Sequence, residues 1–151
     1  MAPPQPAATD VDKDNNSNPP ARLLVVDDDH DTVRVLTLSL VNYGFLVDAF
    51  TNAEEALREF KSNPKSYHLV LSDSLMPQLP GTELAKKVKD ANPNVKVLLL
   101  TGSDTLHNEA SKVSISTSVD GVVQKPIGIR KLTDKIASLI GETKDMRFFK
   151  G

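Results

Sequence analysis

From Arg22 onward, short unbroken apolar runs alternate with longer segments whose apolar residues recur every three or four positions. Runs of the first kind suit strands buried on both faces, and the longer segments suit helices packed against them. Leu23-Leu24-Val25-Val26 is the first run, followed by a helix carrying Val33, Leu36, Leu40 and Val41 until Asn42-Tyr43-Gly44 stops it. Phe45-Leu46-Val47 reads as the second strand. Asn52 is placed to cap a helix bearing Ala53, Ala56, Leu57 and Phe60, which Asn63-Pro64 ends. Leu69-Val70-Leu71 forms a third strand running into Ser72-Asp73. Beyond the break at Pro80-Gly81, Thr82 is expected to cap a helix with Leu84, Ala85, Val88 and Ala91 inward, closed by Asn92-Pro93. Val95 to Leu100 is a fourth strand leading to Thr101-Gly102, and Val119 to Val123 a fifth leading to Gln124-Lys125-Pro126. Ile129, Leu132, Ile136, Leu139 and Ile140 make the inner face of a last helix.

Asp104 to Ser118 fits this scheme least well, because SKVSISTSVD alternates as a strand does where a helix is due. A short helix over Thr105 to Lys112 is the expectation there. Five β-α units with right-handed crossovers predict an α/β fold, a flavodoxin-like doubly wound parallel sheet of five strands in the order 2-1-3-4-5 with five helices. Residues 1–20 hold five of the ten prolines and one branched aliphatic residue, Val11, so this stretch is expected to be a disordered tail. Residues 21–141 then form the folded domain, and 142–151 a short C-terminal tail.

Composition narrows the chemistry. The 18 Lys and Arg against 20 Asp and Glu give a net charge of −2, so no global basic field favours nucleic acid as a direct partner. The absence of cysteine removes disulfides, thiol nucleophiles and Cys-ligated metals together. No apolar run approaches the roughly 20 residues of a membrane span, so no membrane insertion is expected and the location is read as cytoplasmic. The glycines lack phosphate-loop spacing, and His30, His68 and His107 are too scattered for a zinc site.

In a doubly wound sheet the ligand site lies outside the carboxyl ends of the strands. Strand one ends there in Asp27-Asp28-Asp29, strand three in Asp73, strand four in Thr101 and strand five in Lys125. Any one of these has a plain structural use: Asp29 as a helix cap, Asp73 as a turn residue. Their joint placement at four strand ends is harder to explain that way. Carboxylates from neighbouring strands repel unless a proton or cation intervenes, and Mg²⁺ is the natural hard cation for such oxygens. Lys125 and the Thr101 hydroxyl would suit an anionic oxygen, so the site reads as metal plus phosphoryl group.

The segments LLVVDDDHDT, LVLSDSLMPQLPG, VLLLTGS and GVVQKP resemble the four signatures of response-regulator receiver domains, and the resemblance spans about Arg22 to Gly141. It implies that Asp73 accepts a phosphoryl group from the phosphohistidine of a sensor histidine kinase or phosphotransfer protein. It implies that Asp28 binds Mg²⁺ directly, Asp27 through water, and that Asp73 and the Leu75 carbonyl complete the protein ligands. Thr101, with Gly102, matches the hydroxyl switch position, and Lys125, followed by Pro126 across a cis bond, the phosphoryl-pairing lysine. Two positions depart from the common pattern. Val122 stands where many receivers carry an aromatic switch residue, and the Ser111 to Ser118 stretch is unusually polar. Leu75 and Ser103 are placed to tune the lifetime of the acyl phosphate.

The resulting expectation is a stand-alone receiver, a signalling switch rather than an enzyme, monomeric or dimerising on phosphorylation, with no helix-turn-helix output after Gly141. Two alternatives stand beside it. A Mg²⁺-dependent aspartyl-phosphate phosphatase or phosphotransferase would need a second catalytic acid and a substrate cap, for which no insertion is evident. A phosphorylation-independent interaction domain would have little need to keep Asp27, Asp28, Asp73, Thr101 and Lys125 together.

Overall fold

The computed structural model describes residues 19–102 and 118–141. Five strands, β1 (Arg22–Val26), β2 (Leu46–Phe50), β3 (Leu69–Asp73), β4 (Lys96–Thr101) and β5 (Gly121–Gln124), lie in one sheet in the order β2-β1-β3-β4-β5. All four pairings are parallel. Four helices flank the sheet among the described residues: α1 (His30–Asn42), α2 (Ala53–Ser62), α3 (Gly81–Ala91) and α4 (Ile129–Ile140). The flavodoxin-like order expected from the sequence is the order found. The helix expected over Thr105 to Lys112 lies outside the described residues, as do Ser103, residues 1–18 and 142–151.

Strand alternation explains the two-layered core. Leu24 and Val26 join Val70, Val97 and Leu99 beneath α2 and α3, with Phe60, Leu84 and Val88 filling the space. Leu23 and Val25 point the other way and meet Leu69, Leu71, Leu98 and Leu100 under Leu40 of α1 and Leu132 and Ile136 of α4. β1 and β3 are therefore buried on both faces, as their unbroken apolar runs require.

Asn52 caps α2 as read from the sequence, accepting the Glu55 N–H at 2.9 Å. Local expectations need correction at several points. Thr82 does not cap α3: the N-cap is Pro80, and the helix already begins at Gly81. Val41 shares the helical spacing of Leu36 and Leu40, yet it is 51% exposed, because those two already fill the groove over the sheet. Ala91 is likewise exposed at the end of α3. The fifth strand also starts later than read, at Gly121, since Asp120 is engaged in holding β4: its carboxylate accepts the Val97 N–H at 2.8 Å and pairs with Lys89 at 2.7 Å.

On the α2 side, Tyr67 stacks on Phe60 and its hydroxyl lies 2.7 Å from Asp48 and 2.9 Å from Glu59. Burial and these two acidic neighbours hold the phenol far above its usual range. Arg22 pairs with the same Asp48 oxygen at 3.0 Å, so one network ties β1, β2, α2 and the start of β3.

Candidate functional site

The sheet delivers its polar residues to one edge. Asp27 follows β1 and stays anchored to β2, its N–H donating to the Phe50 carbonyl at 3.1 Å. Asp73 is the last residue of β3, and Thr101 the last of β4. Lys125 extends the β5 pairing by one residue, donating its N–H to the Thr101 carbonyl at 2.8 Å, and the Lys125-Pro126 bond is cis. Asp27, Asp28 and Asp73 each present one carboxylate oxygen such that all three lie within 4.8 Å of one another. The five polar residues that sequence reasoning singled out at four strand ends are thus brought to one end of the sheet.

The lysine is the counter-charge. Its Nζ lies 2.8 Å from Asp73 Oδ1 and 3.6 Å from Asp27 Oδ2. The first is a hydrogen-bonded ion pair. The second is charge proximity only, beyond hydrogen-bond reach, and Asp27 Oδ2 is accordingly left without a hydrogen-bond partner among the described residues. Asp27 Oδ1 accepts the Asp29 N–H at 2.9 Å. Burial raises the Asp27 carboxyl; the Asp29 N–H opposes this, the Asp73 charge adds to it, and the direction is upward. For Lys125, burial pulls downward, but the hydrogen bond to Asp73 and the charges of Asp27 and Asp73 outweigh it and the ammonium is held above its ordinary range. Three carboxylates against one ammonium leave the site short of positive charge, and the unpartnered oxygen lies within the cluster. A hard cation fits that donor set.

Two hydroxyls in the same region are also unpartnered. Thr101 is fully buried, and neither its Oγ1 nor Ser74 Oγ has a hydrogen-bond partner among the described residues. Buried hydroxyls of this kind are uncommon, and each marks a place able to satisfy an arriving polar group or to rearrange. Gly102 is exposed, and an added Cβ would meet nothing within 4 Å among the described residues. Leu75, assigned a ligand role through its carbonyl, turns its side chain outward at 66% exposed. Val122 is half-buried against the layer under α2 and α3. Asp29 occupies the N-cap position of α1, but its carboxylate accepts the Thr32 hydroxyl at 2.6 Å rather than a backbone N–H, which holds it below the ordinary carboxylate range.

Sequence reasoning missed Gly81. Read only as part of a loop break, it is the contact point between α3 and the site: an added Cβ would strike the Asp73 carbonyl oxygen and sit 2.9 Å from Ser74 Cα. The Gly81 N–H donates to the Ser74 carbonyl at 2.9 Å, so the helix start grips the strand end that carries Asp73. The Pro80-Gly81 pair marked the position, but nothing local in the sequence indicates its partner. His68, set aside as a zinc ligand, has a structural task, accepting the Arg22 N–H on Nδ1 at 3.1 Å.

No helix among the described residues is long and apolar enough to cross a membrane. Residues 23–137 match the response regulator receiver domain model. The chain is 28% identical over 124 residues to the response regulator receiver protein CpdR of Brucella abortus (strain 2308), covering 79% of this chain and 96% of that protein. It is 32% identical over 121 residues to a CpxR homolog, a transcriptional regulatory protein of Haemophilus influenzae, and there spans only 50% of the relative's length. Among solved structures, a response regulator receiver domain protein from Clostridium thermocellum superposes with a TM-score of 0.75 at 27% identity, covering 82% of this chain and 97% of that one. With the family model matching most of the chain and the same fold in a solved member, the chain belongs to the response regulator receiver domain family.

Proposed function

We propose that this chain is a stand-alone receiver, residues 21–141 forming the domain, in which Asp73 accepts a phosphoryl group and thereby switches binding to a protein partner or passes the group onward. The observation that carries this reading is the ion pair of Lys125 with Asp73 inside a cluster of three carboxylates at the carboxyl end of the sheet. The stand-alone form is supported by the Brucella relative, nearly all of which the chain covers.

An oxygen of Asp73 forms a bond to phosphorus as the bond from phosphorus to the donor's imidazole nitrogen breaks, and the departing imidazole takes up a proton. Lys125, already on Asp73, is within reach of the phosphoryl oxygens and offsets the charge gathering on them. Asp27, Asp28 and Asp73, with the Leu75 carbonyl, are the residues to hold Mg²⁺. The ion would supply further neutralisation of the transferring group. Thr101, whose buried hydroxyl has no partner among the described residues, is positioned to gain one when the phosphoryl group adds roughly −1.5 to −2 of charge. Val122, half-buried and β-branched, has few rotamers, so the Thr101 loop responds without the swing of a large ring.

A sensor histidine kinase or phosphotransfer protein is the donor in this reading, in the cytoplasm. Val35 and Leu38 of α1 are 62% and 66% exposed on the helix that starts beside the acidic loop, an apolar strip suited to a docking protein. Intact-mass spectrometry after incubation with acetyl phosphate tests the proposal. One added phosphoryl group, requiring both Mg²⁺ and Asp73 and lost in Asp73→Asn, is expected. Uptake that persists in Asp73→Asn, or none in a folded protein offered acetyl phosphate and a phosphorylated phosphotransfer domain, would refute it.

A further inference from the structure

Side chains alternate along a strand, so each face of the sheet can be followed to its carboxyl end. Val70 of β3 and Val97 and Leu99 of β4 face the layer under α2 and α3, whereas Leu69, Leu71, Leu98 and Leu100 face α1 and α4. Ser72, Ser74 and Thr101 continue the first set, which brings three hydroxyls to the site end of the sheet. Ser72 is committed, its hydroxyl donating to the Asp73 carbonyl at 2.8 Å. Ser74 and Thr101 are both buried, and neither side-chain oxygen has a hydrogen-bond partner among the described residues. These two are also neighbours. β3 and β4 pair Asp73 with Leu100, and the Ser74 N–H donates to the Leu100 carbonyl at 3.0 Å, which carries the register one step further and sets Ser74 beside Thr101. Register partners share a face on strands about 4.8 Å apart, and turning both χ1 angles toward each other brings the oxygens to the roughly 2.7–2.8 Å of an O–H···O bond. Ser74 is fixed in this place by α3: the Gly81 N–H donates to its carbonyl at 2.9 Å, and a Cβ on Gly81 would sit 2.9 Å from its Cα.

A hydroxyl donates one hydrogen and can accept others at the same time. When Thr101 donates to an oxygen of a phosphoryl group on Asp73, its own oxygen stays free to accept, and the Ser74 hydroxyl is the donor beside it. We infer that Ser74 is a positioning residue for the Thr101 switch: its hydroxyl donates to Thr101 Oγ1, and Thr101 in turn donates to the phosphoryl oxygen. A single event then satisfies both buried hydroxyls, and each hydrogen bond of the chain polarises and strengthens the other. Before phosphorylation the two unsatisfied hydroxyls cost the fold stability, and that cost is relieved only in the loaded state, so the pair biases the switch toward it. No covalent bond to Ser74 forms or breaks, and its proton stays on it. This role presupposes the phosphoryl reading of the site and is exercised only through Thr101.

Beryllofluoride with Mg²⁺, a stand-in for a phosphoryl group on a carboxylate, is titrated into the full chain, Ser74→Ala, Thr101→Val and the double variant. Binding is followed in the amide spectrum, and unfolding is measured separately in EDTA. Ser74→Ala is expected to bind the probe several-fold more weakly than the parent. Thr101→Val should bind more weakly still, and adding Ser74→Ala to it should change little, because the serine acts through a hydroxyl already removed. In EDTA, Ser74→Ala should be as stable as the parent or more so, since the deleted hydroxyl has no partner among the described residues. A Ser74→Ala protein that binds the probe as the parent does, or whose loss adds in full to that of Thr101→Val, would overturn the inference and leave the phosphoryl reading in place. A several-degree loss of Tm in EDTA would overturn it as well, by showing that the hydroxyl serves the unphosphorylated fold. A parent chain that fails to bind the probe, or binds it no better than Asp73→Asn does, would sink the phosphoryl reading and this inference together.

Discussion

Replacing Asp27 with Asn should stabilise the protein when divalent metal is absent. Asp27 is 2% exposed and one of its oxygens has no hydrogen-bond partner among the described residues. The amide keeps the acceptor used by the Asp29 N–H and removes the buried charge. At an effective dielectric near 20, a like charge at the 4.8 Å limit of the cluster costs about 3.5 kcal/mol, and an opposite charge at 3.6 Å returns about 4.6 kcal/mol. Lys125 is 37% exposed, however, and water reduces its return well below that figure, whereas the Asp73 repulsion acts between two buried groups. Asp28 adds repulsion in the same direction. Relief of this imbalance and of the desolvated oxygen amounts to about 1–3 kcal/mol. For a domain of this size, that is a rise in Tm of about 4–12 °C.

Calorimetry in EDTA at pH 7 is the assay, repeated near pH 4 and in 10 mM MgCl2. The sign at low pH follows from the raised Asp27 carboxyl. Ionisation is disfavoured in the fold, so its penalty is present above the folded pKa and fades as pH falls toward the unfolded value of 3.8. The advantage of Asp27→Asn should fade with it. With Mg²⁺ the parent gains stability by binding while the variant loses a ligand, and the order should close or invert. A variant less stable than the parent in EDTA at pH 7, or an advantage unchanged toward pH 4, would refute the reasoning by showing that the Lys125 attraction outweighs the repulsion.

Gly81→Ala should cost about 1–3 kcal/mol in urea unfolding, because its Cβ would press on the Asp73 carbonyl and Ser74 Cα, backbone atoms that cannot turn aside, and on Leu99 Cδ2. It should also slow phosphoryl uptake in a time course, since the obstructed atoms carry the acceptor. Tyr67→Phe removes the hydroxyl contact to Asp48 and Glu59 and should cost about 1–2 kcal/mol by the same unfolding measurement. Lys125 is held above its unfolded value of 10.5, so its contribution is fully present below that pH and is lost as pH rises through the folded value. Lys125→Met should therefore lower Tm at pH 8, with the difference shrinking above pH 10.5.

The fold was legible because β1, β3 and β4 are nearly unbroken apolar runs, and a strand buried on both faces has no other way to be written. The candidate site was legible for a related reason: each of its polar side chains ends or follows a strand. The errors fall where tertiary contacts overrule local signals. Thr82 carries capping chemistry, but Pro80 and the seat of Gly81 on β3 start α3 earlier. Val41 has the helical spacing of a core residue, and only the filled groove around Leu40 turns it outward. The Tyr67, Asp48 and Glu59 network joins residues 19 and 8 positions apart, through no pattern that periodicity can register.

Strand order also divides the site by firmness. Asp27 and Asp73 leave β1 and β3, each hydrogen-bonded on both flanks, whereas Lys125 leaves β5, a four-residue strand paired only to β4. Amides of β1 and β3 should exchange with solvent only when the whole domain opens, and those of Val122 to Gln124 through smaller fluctuations at the edge. The carboxylates are thus a fixed platform, and the cation that answers them rides on the strand that yields first.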